Sequence, residues 1–120
     1  MGRLLVVHHT PSPNLQTVLE AVKEGIALVD DVEPVLRPAL SAGAADVLAA
    51  DGVLLGTTAN IGYMSGALKH FFDTVYYPCH DATVGLPFGV YVHGGDDTAG
   101  ALRSIDRITT ALSDPKSGGQ

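Results

Sequence analysis

The sequence is poor in the residues that mark several classes of protein. It has a single cysteine, Cys79, which excludes an internal disulfide framework and a cysteine-rich zinc site. Only 7 lysines and arginines stand against 13 acidic residues, and this balance argues against binding to a nucleic-acid backbone or an anionic membrane. Its apolar runs are far shorter than the roughly 18 residues of a membrane-spanning helix, and no secretory segment follows Met1. We therefore expect a cytoplasmic protein.

The length and the apolar content predict one folded domain. Apolar residues make up 46 % of the 120 residues, and a chain of this size buries roughly two-thirds of the surface that it exposes when unfolded. The segment 114–120 contains no apolar residue. We expect the domain to span residues 1–112 and residues 113–120 to form a flexible polar tail.

Short apolar runs alternate with segments in which apolar residues recur every three or four positions. The strand candidates are residues 4–7, 32–36, 53–55 and 88–92, and the helical segments are residues 14–26, 44–50, 64–75 and 102–112. Such alternation predicts a doubly wound α/β fold with a parallel sheet and helices on both faces. Pro34 suits an edge position for the second strand, because proline cannot donate a ladder hydrogen bond.

A doubly wound sheet binds ligands beyond the carboxyl ends of its strands. Three segments occupy this position: the first-strand loop (residues 8–14), the third-strand loop (residues 57–65) and the fourth-strand loop (residues 93–97). Asp96 or Asp97 in the last of these is suited to cap the final helix.

The first-strand loop lacks the glycine pattern of dinucleotide-binding folds and of P-loops. Instead, Thr10, Ser12 and Asn14 stand at alternate positions just before a predicted helix. Hydroxyl, amide and N–H groups at a helix N-terminus can hold a phosphate without lysine or arginine. The same residues are also typical helix caps, so the pattern favours a phosphate site and simple capping about equally.

The third-strand loop carries the most specific motif. Residues 56–73 read G-T-T-A-N-I-G-Y-M-S-G-A-L-K-H-F-F-D and resemble the segment G-T-P-x-x-x-G-x-M-x-x-x-[KR]-x-F-x-D of flavodoxin-like NAD(P)H-dependent flavin and quinone reductases. The matching residues are Gly56, Thr57, Gly62, Met64, Lys69, Phe71 and Asp73. The first-strand loop resembles the phosphate loop of this family, and the fourth-strand loop resembles its glycine-rich turn beside the flavin. The resemblance covers about residues 3–112.

The resemblance implies a flavodoxin-like three-layer α/β fold with strand order 2-1-3-4. It implies FMN as the cofactor, NAD(P)H as co-substrate and a quinone or similar small molecule as acceptor, with the redox chemistry on the flavin and no catalytic residue in the protein. The implied FMN-binding residues are Thr10, Ser12, Pro13, Asn14, Leu15, Gln16, Thr58, Ala59, Asn60, Ile61, Gly62, Tyr63, His93, Gly94 and Gly95. An electron-transfer flavodoxin and a flavin-free assembly domain are the alternative interpretations.

The chain also departs from the family pattern. Thr58 replaces the usual proline, Leu15 replaces a frequent hydroxyl residue, and the fifth strand and helix of flavodoxin-like folds are missing after the fourth helix. The fourth strand would then lie at an exposed apolar edge, which is an association site. We therefore predict a homo-oligomer, most simply a twofold dimer that buries the fourth strand or the last helix.

Several single residues have two interpretations each. Tyr63 would either stack on the flavin or shield its loop, and His9 and His93 would either contact the flavin edge or be structural. Cys79, beside His80, would be either redox-active or an inert small apolar residue. Lys69 and Asp73 are four apart on a helix and predict an ion pair. The histidines lack zinc-site spacing, so we expect no metal.

Overall fold

Apolar runs become strands and periodic segments become helices, in the alternating order that the sequence predicts. The computed structural model describes residues 2–60, 62–94 and 97–113. Its elements are β1 (Gly2–His8), α1 (Pro13–Ala27), β2 (Val32–Pro38), α2 (Ala44–Leu48), β3 (Gly52–Asn60), β4 (Tyr63–Met64), α3 (Gly66–Cys79), β5 (Phe88–His93) and α4 (Thr98–Ser113). Of the predicted polar tail, residues 113–120, Ser113 is instead the last residue of α4, and residues 114–120 lie outside the described residues.

Four parallel strands form the main sheet in the order β2-β1-β3-β5. This order confirms the predicted 2-1-3-4 arrangement, with β5 as the predicted fourth strand. The chain winds first from β1 to β2 and then back past β1 to β3, so the strand order reverses between β1 and β3. In a doubly wound fold, that reversal marks the ligand-binding crevice at the carboxyl ends of the strands, an edge that we call the carboxyl edge.

The third strand is longer than its apolar run. The sequence predicts that it ends before Gly56, but β3 continues to Asn60 and turns back as β4, which pairs antiparallel with it. Two features explain the hairpin. The buried Thr57 hydroxyl accepts a hydrogen bond from Ser65 N–H at 2.9 Å, and the backbone at Gly62 adopts a φ of +72°. A positive φ is readily adopted by glycine alone. The third-strand loop is therefore a hairpin.

The two faces of the sheet carry separate apolar clusters because side chains alternate along each strand. Val6 packs with Leu19 and Ile26 of α1 on one face. The larger cluster lies on the opposite face, where α3 contributes Phe71 and Phe72, each 1 % exposed. Both phenylalanines are therefore core residues.

The two outer strands leave different edges. β2, which contains Pro34, pairs with β1, as predicted for an edge strand. β5 pairs with β3 on one side, and no strand among residues 2–60, 62–94 and 97–113 pairs with its other side. None of the described helices is long and apolar enough to cross a membrane.

Candidate functional site

The carboxyl edge brings the three predicted loops together. His9 N–H, at the start of the first-strand loop, donates to the Gly56 carbonyl of β3 at 3.0 Å. On the other side of β3, Gly94 lies so close to Ala59 that a Cβ on Gly94 would be 3.0 Å from that of Ala59. The first-strand, third-strand and fourth-strand loops therefore adjoin one another as the parallel topology predicts.

Ser12 caps α1. Its hydroxyl oxygen accepts from Leu15 N–H at 3.3 Å, and its carbonyl accepts from Gln16 N–H at 3.0 Å. The capping interpretation is thus confirmed for Ser12, and the N–H groups of Leu15 and Gln16, two of the implied FMN-binding residues, are engaged with it. The hydroxyl hydrogen of Ser12 is still available to a ligand, as is Asn14 N–H, because the first turn of a helix offers it no acceptor.

The first turn of α1 contains no acidic residue. In a chain with 13 acidic residues, this keeps the positive end of the helix dipole unopposed by a neighbouring carboxylate. Pro13 stands at the first helical position, where its missing N–H costs no helical hydrogen bond. The N-terminus of α1 is therefore suited to an anion.

Thr10 is held by the last residue of β1. His8 Nδ1 lies 2.7 Å from Thr10 Oγ1, so the imidazole and the hydroxyl share one hydrogen bond. Partial burial, together with the neighbouring His9, lowers the pKa of His8 below its usual value. His8 was not among the predicted site residues.

A cavity of about 310 Å³ adjoins the first-strand loop. Its walls include Thr10 and Gln16 on one side and, on the other, Pro38 at the end of β2 with residues 39–40 of the turn after it. That turn is not among the three loops in which the sequence predicts the site. The signal for it was the strand order itself, because β2 lies beside β1 and ends at the same edge.

The hairpin is fixed on the N-terminal half of α4. Met64 N–H donates to Ser104 Oγ at 3.3 Å, and Asp97 Oδ1 accepts from Gly100 N–H at 2.9 Å. The other Asp97 oxygen lies against Gly62, where a Cβ would be only 2.6 Å away. Asp97 therefore caps α4, as predicted, and also contacts the hairpin turn, which the sequence did not reveal.

Tyr63 is 42 % exposed and lies beside a second cavity, of about 480 Å³, between α3 and α4. Its lining includes Phe72, Tyr76, Tyr77 and Ile108. Lys69 and Asp73, also at this cavity, form the predicted ion pair, and the hydrogen bond that Lys69 donates to Asp73 raises the pKa of Lys69. The exposed ring of Tyr63 leaves its predicted stacking role open.

Cys79 lies in the core at the end of α3. It is fully buried, and burial raises the pKa of its thiol. Because the thiolate is the reactive form, these observations favour the inert interpretation. His93, by contrast, is exposed at the carboxyl edge and pairs in register with Thr58. Among the described residues, no three histidine, cysteine, aspartate or glutamate side chains form a metal-binding group.

The predicted site residues that the structure describes lie at the carboxyl ends of β1, β3 and β5 or in the segments that come after them. They are Thr10, Ser12, Pro13, Asn14, Leu15, Gln16, Thr58, Ala59, Gly62, Tyr63, His93 and Gly94. Leu15 is buried, so only its backbone belongs to the site, and the Gln16 side chain donates to Glu20 at 2.8 Å. Ile61, Gly95 and the side chain of Asn60 lie outside what the structure describes.

Comparison with curated proteins identifies one informative relative. A flavodoxin of Aquifex aeolicus is 37 % identical over 75 residues, which are 62 % of this chain and 40 % of the relative. The chain therefore spans less than half of the length of that relative. No protein-family model matches the sequence.

Solved structures resemble nearly the whole chain. The flavodoxin, WrbA-like protein from Agrobacterium tumefaciens has a TM-score of 0.75 at 22 % identity, over 93 % of this chain and 74 % of its own. An NADH:FMN oxidoreductase has a TM-score of 0.76 at 16 % identity, over 93 % and 70 %. A Fusobacterium nucleatum flavodoxin bound to flavin mononucleotide has a TM-score of 0.70 at 13 % identity, over 94 % and 67 %. These matches confirm the resemblance inferred from the loop motifs: the chain has the flavodoxin-like fold.

Proposed function

We propose that the chain binds FMN at the carboxyl edge and uses it to transfer hydride from NAD(P)H to a quinone or a similar small acceptor. The observation that carries this proposal is the convergence of three segments: the anion-suited N-terminus of α1, the β3–β4 hairpin and the end of β5 with Gly94. The first would hold the phosphate of FMN, and the other two would hold its ring.

The residues of the first-strand loop fit a phosphate. Thr10 and Ser12 offer hydroxyl groups, Asn14 offers its backbone N–H, and the helix dipole favours an anion there. Residues 8–16 contain no aspartate or glutamate, so no carboxylate within the first-strand loop opposes the negative charge. This loop therefore offers a phosphate polar groups without an acidic neighbour in the same segment.

The hairpin and the fourth-strand loop would form the walls around the ring of FMN. The backbone of residues 58–60 and the ring of Tyr63 would line one side, and His93 and Gly94 the other. Gly94 allows the two walls to approach, since a Cβ there would be 3.0 Å from Ala59 Cβ. When bound, FMN would supply the hydride chemistry, while these residues orient the ring and exclude water from it.

The comparisons support the cofactor more directly than the co-substrate. One structural neighbour is described as bound to flavin mononucleotide and another as an NADH:FMN oxidoreductase. The second of these descriptions also names a nicotinamide. The choice of acceptor rests on the hairpin motif, which resembles the reductases more than the electron-transfer flavodoxins.

Two alternatives make different predictions. An electron-transfer flavodoxin would bind FMN, dock through its acidic surface onto a basic protein partner and oxidise NAD(P)H poorly. A flavin-free assembly domain would bind no FMN. The excess of 13 acidic over 7 basic residues is the observation that favours the flavodoxin alternative.

The experiment that tests the proposal is a titration of the purified chain with FMN, followed by absorbance and calorimetry. We expect binding in the micromolar range or tighter, and weaker binding of riboflavin, which lacks the phosphate. The loaded protein should then oxidise NAD(P)H steadily when a quinone is supplied. Absence of FMN binding would leave only the assembly interpretation, and binding without turnover would favour the flavodoxin.

We also propose that two copies associate through the outer edge of β5. Val90 and Leu102, which are 37 % and 41 % exposed, line a cavity of about 350 Å³ beside this edge. Arg103 and Asp106 border the same cavity, so this surface carries both a cation and an anion, as a self-complementary twofold interface requires. This charge complementarity favours a second copy as the occupant. The cytoplasmic location remains a prediction.

A further inference from the structure

The first-strand loop would have to bind a phosphate without lysine or arginine. Residues 8–16 read H-H-T-P-S-P-N-L-Q, so His8 and His9 are the groups of this segment that can become cationic. A phosphate monoester carries close to two negative charges at neutral pH. The protonation state of these two imidazoles therefore affects how strongly the loop binds a phosphate.

His8 occupies a defined place at the end of β1. It stands in a row across the sheet with Pro38 of β2, Gly56 of β3 and, through Gly56, Tyr91 of β5. Alternation along β1 places His8 on the face of Val6, which packs against α1. The imidazole therefore lies beneath the first-strand loop, with Nδ1 2.7 Å from Thr10 Oγ1.

The direction of this hydrogen bond decides what Thr10 offers to a ligand. When Nδ1 carries a proton it donates to Oγ1, and the hydroxyl hydrogen of Thr10 is free to be donated to a phosphate oxygen. When Nδ1 carries none, the hydroxyl donates to the imidazole and presents only lone pairs outward. The doubly protonated imidazolium always has the first arrangement and adds a positive charge.

We propose that His8 is a positioning residue for the phosphate of FMN, which turns the Thr10 hydroxyl into a donor and makes binding of that phosphate tighter as the pH falls. This inference rests on the proposed function. By linkage, the bound phosphate stabilises the imidazolium, so binding takes up a proton over the pH range in which His8 titrates.

The surroundings of His8 are compatible with this role. Pro38 and Gly56 flank it in the sheet and cannot titrate, and Gln16 is the residue of α1 in the cavity beside it. Tyr91, next along the row, has its pKa raised by burial and is neutral at physiological pH. His9 is therefore the neighbour whose positive charge disfavours protonation of His8. Burial has the larger effect and His9 the smaller one, and both lower the pKa of His8 in the FMN-free protein.

The test compares FMN with riboflavin in the full chain and in His8→Asn. Asparagine keeps an N–H donor near Thr10 but cannot titrate. The quantity compared is the ratio of FMN affinity to riboflavin affinity. As the pH falls from about 8 to about 5.5, this ratio should rise about five- to tenfold more in the original protein than in the variant, since one unit of pKa shift is a tenfold change in affinity. FMN itself titrates near pH 6, and the comparison between the two proteins cancels that contribution.

A matched control is His70→Asn, on the exposed side of α3, which should retain the original pH profile. Thr10→Val removes the hydroxyl that transmits the effect, and His8→Asn should then change the preference for FMN much less. A second readout does not depend on any variant. The NMR titration of the His8 ring should show its pKa rising when FMN is added, and staying unchanged with riboflavin.

The outcomes separate the two proposals. If FMN binds with the same pH profile in the original protein and in His8→Asn, and the pKa of His8 does not move, the role of His8 is wrong while the proposed function stands. If FMN does not bind at any pH, both are wrong. If the preference for FMN increases on acidification in the original protein but not in His8→Asn, the result supports both the proposed function and the role of His8.

Discussion

The ring of Tyr91 lies over Gly56 of the neighbouring strand. The two residues are partners in the pairing of β5 with β3, and a Cβ on Gly56 would overlap the ring atoms Cζ and Oη of Tyr91. The ring therefore occupies space that only a glycine leaves open. It lies in the same row as His8, so this packing supports the end of the sheet from which the first-strand loop departs.

Gly56→Ala should destabilise the protein by about 1–3 kcal/mol, because an overpacked site forces neighbouring side chains from their preferred positions. Urea unfolding measures the loss. In a Tyr91→Ala background the same substitution should cost much less, since the ring that obstructs the new methyl group is gone. Additive effects of the two substitutions would contradict this contact.

Ser12→Ala should have two separable effects. Loss of the cap should lower the free energy of unfolding by about 1 kcal/mol. Loss of a hydroxyl donor to the phosphate should weaken FMN by about 1–3 kcal/mol, because the hydrogen bond is to a charged group, while riboflavin affinity should change little. Denaturation and calorimetry measure the two effects.

The control for this prediction is Ser65→Ala. Ser65 caps α3 in the same way, with its hydroxyl accepting from Leu68 N–H at 3.2 Å. This variant should also lose stability but keep the ratio of FMN to riboflavin affinity. An equal change of that ratio in both variants would show that the cap, and not the phosphate contact, causes the effect.

Gly62→Ala should destabilise the hairpin more than Gly85→Ala destabilises its turn. Both glycines have a positive φ, +72° and +81°, so alanine costs roughly 1–2 kcal/mol of backbone strain at either position. Only at Gly62 would the new Cβ also meet Asp97 Oδ2, at 2.6 Å, whereas Gly85 has nothing within 4 Å. Thermal unfolding of the two variants measures the difference, and equal losses would argue against the Asp97 contact.

The stability of the FMN-free protein should depend on the state of His8. Its pKa in the folded protein is lowered below the ordinary 6.5, so the unfolded chain binds a proton at a higher pH than the folded one. Stability should therefore fall as the pH drops through about 6.5 and level off below the folded pKa. Unfolding curves of His8→Asn should show a smaller loss over this range, and an identical loss would contradict the lowered pKa.

The outer edge of β5 should hold two copies together. Light scattering at tens of micromolar should give about twice the mass of 12.4 kDa, and Val90→Lys should give the monomer, because a charge on an exposed edge strand opposes pairing. Val29→Lys is the control: Val29 is 55 % exposed in the turn after α1, far along the chain from β5. A monomeric original protein would refute the association.

The loop motifs and the apolar periodicity were sufficient for the fold. Residues 4–7, 53–55 and 88–92 became parts of β1, β3 and β5, because largely apolar runs are stable in a parallel sheet that helices cover. The strand order followed from the family resemblance, and the loops then fell at one edge through topology alone. Ser12 as a cap and Lys69 with Asp73 as an ion pair were equally local, since each involves residues three or four positions apart.

The features missed by the sequence analysis depend on registers between distant segments. The hairpin exists because Thr57 reaches Ser65, and Asp97 contacts Gly62 across 35 positions of sequence. Tyr91 over Gly56 and the turn after β2 beside the first-strand loop likewise require the pairing of separate strands. Even for His8, which is two residues from Thr10, the proposed role depends on the sheet. The sheet fixes the face on which the His8 ring lies and partly buries the ring beneath the first-strand loop. Local pattern selects each element, and only packing decides which of their side chains meet.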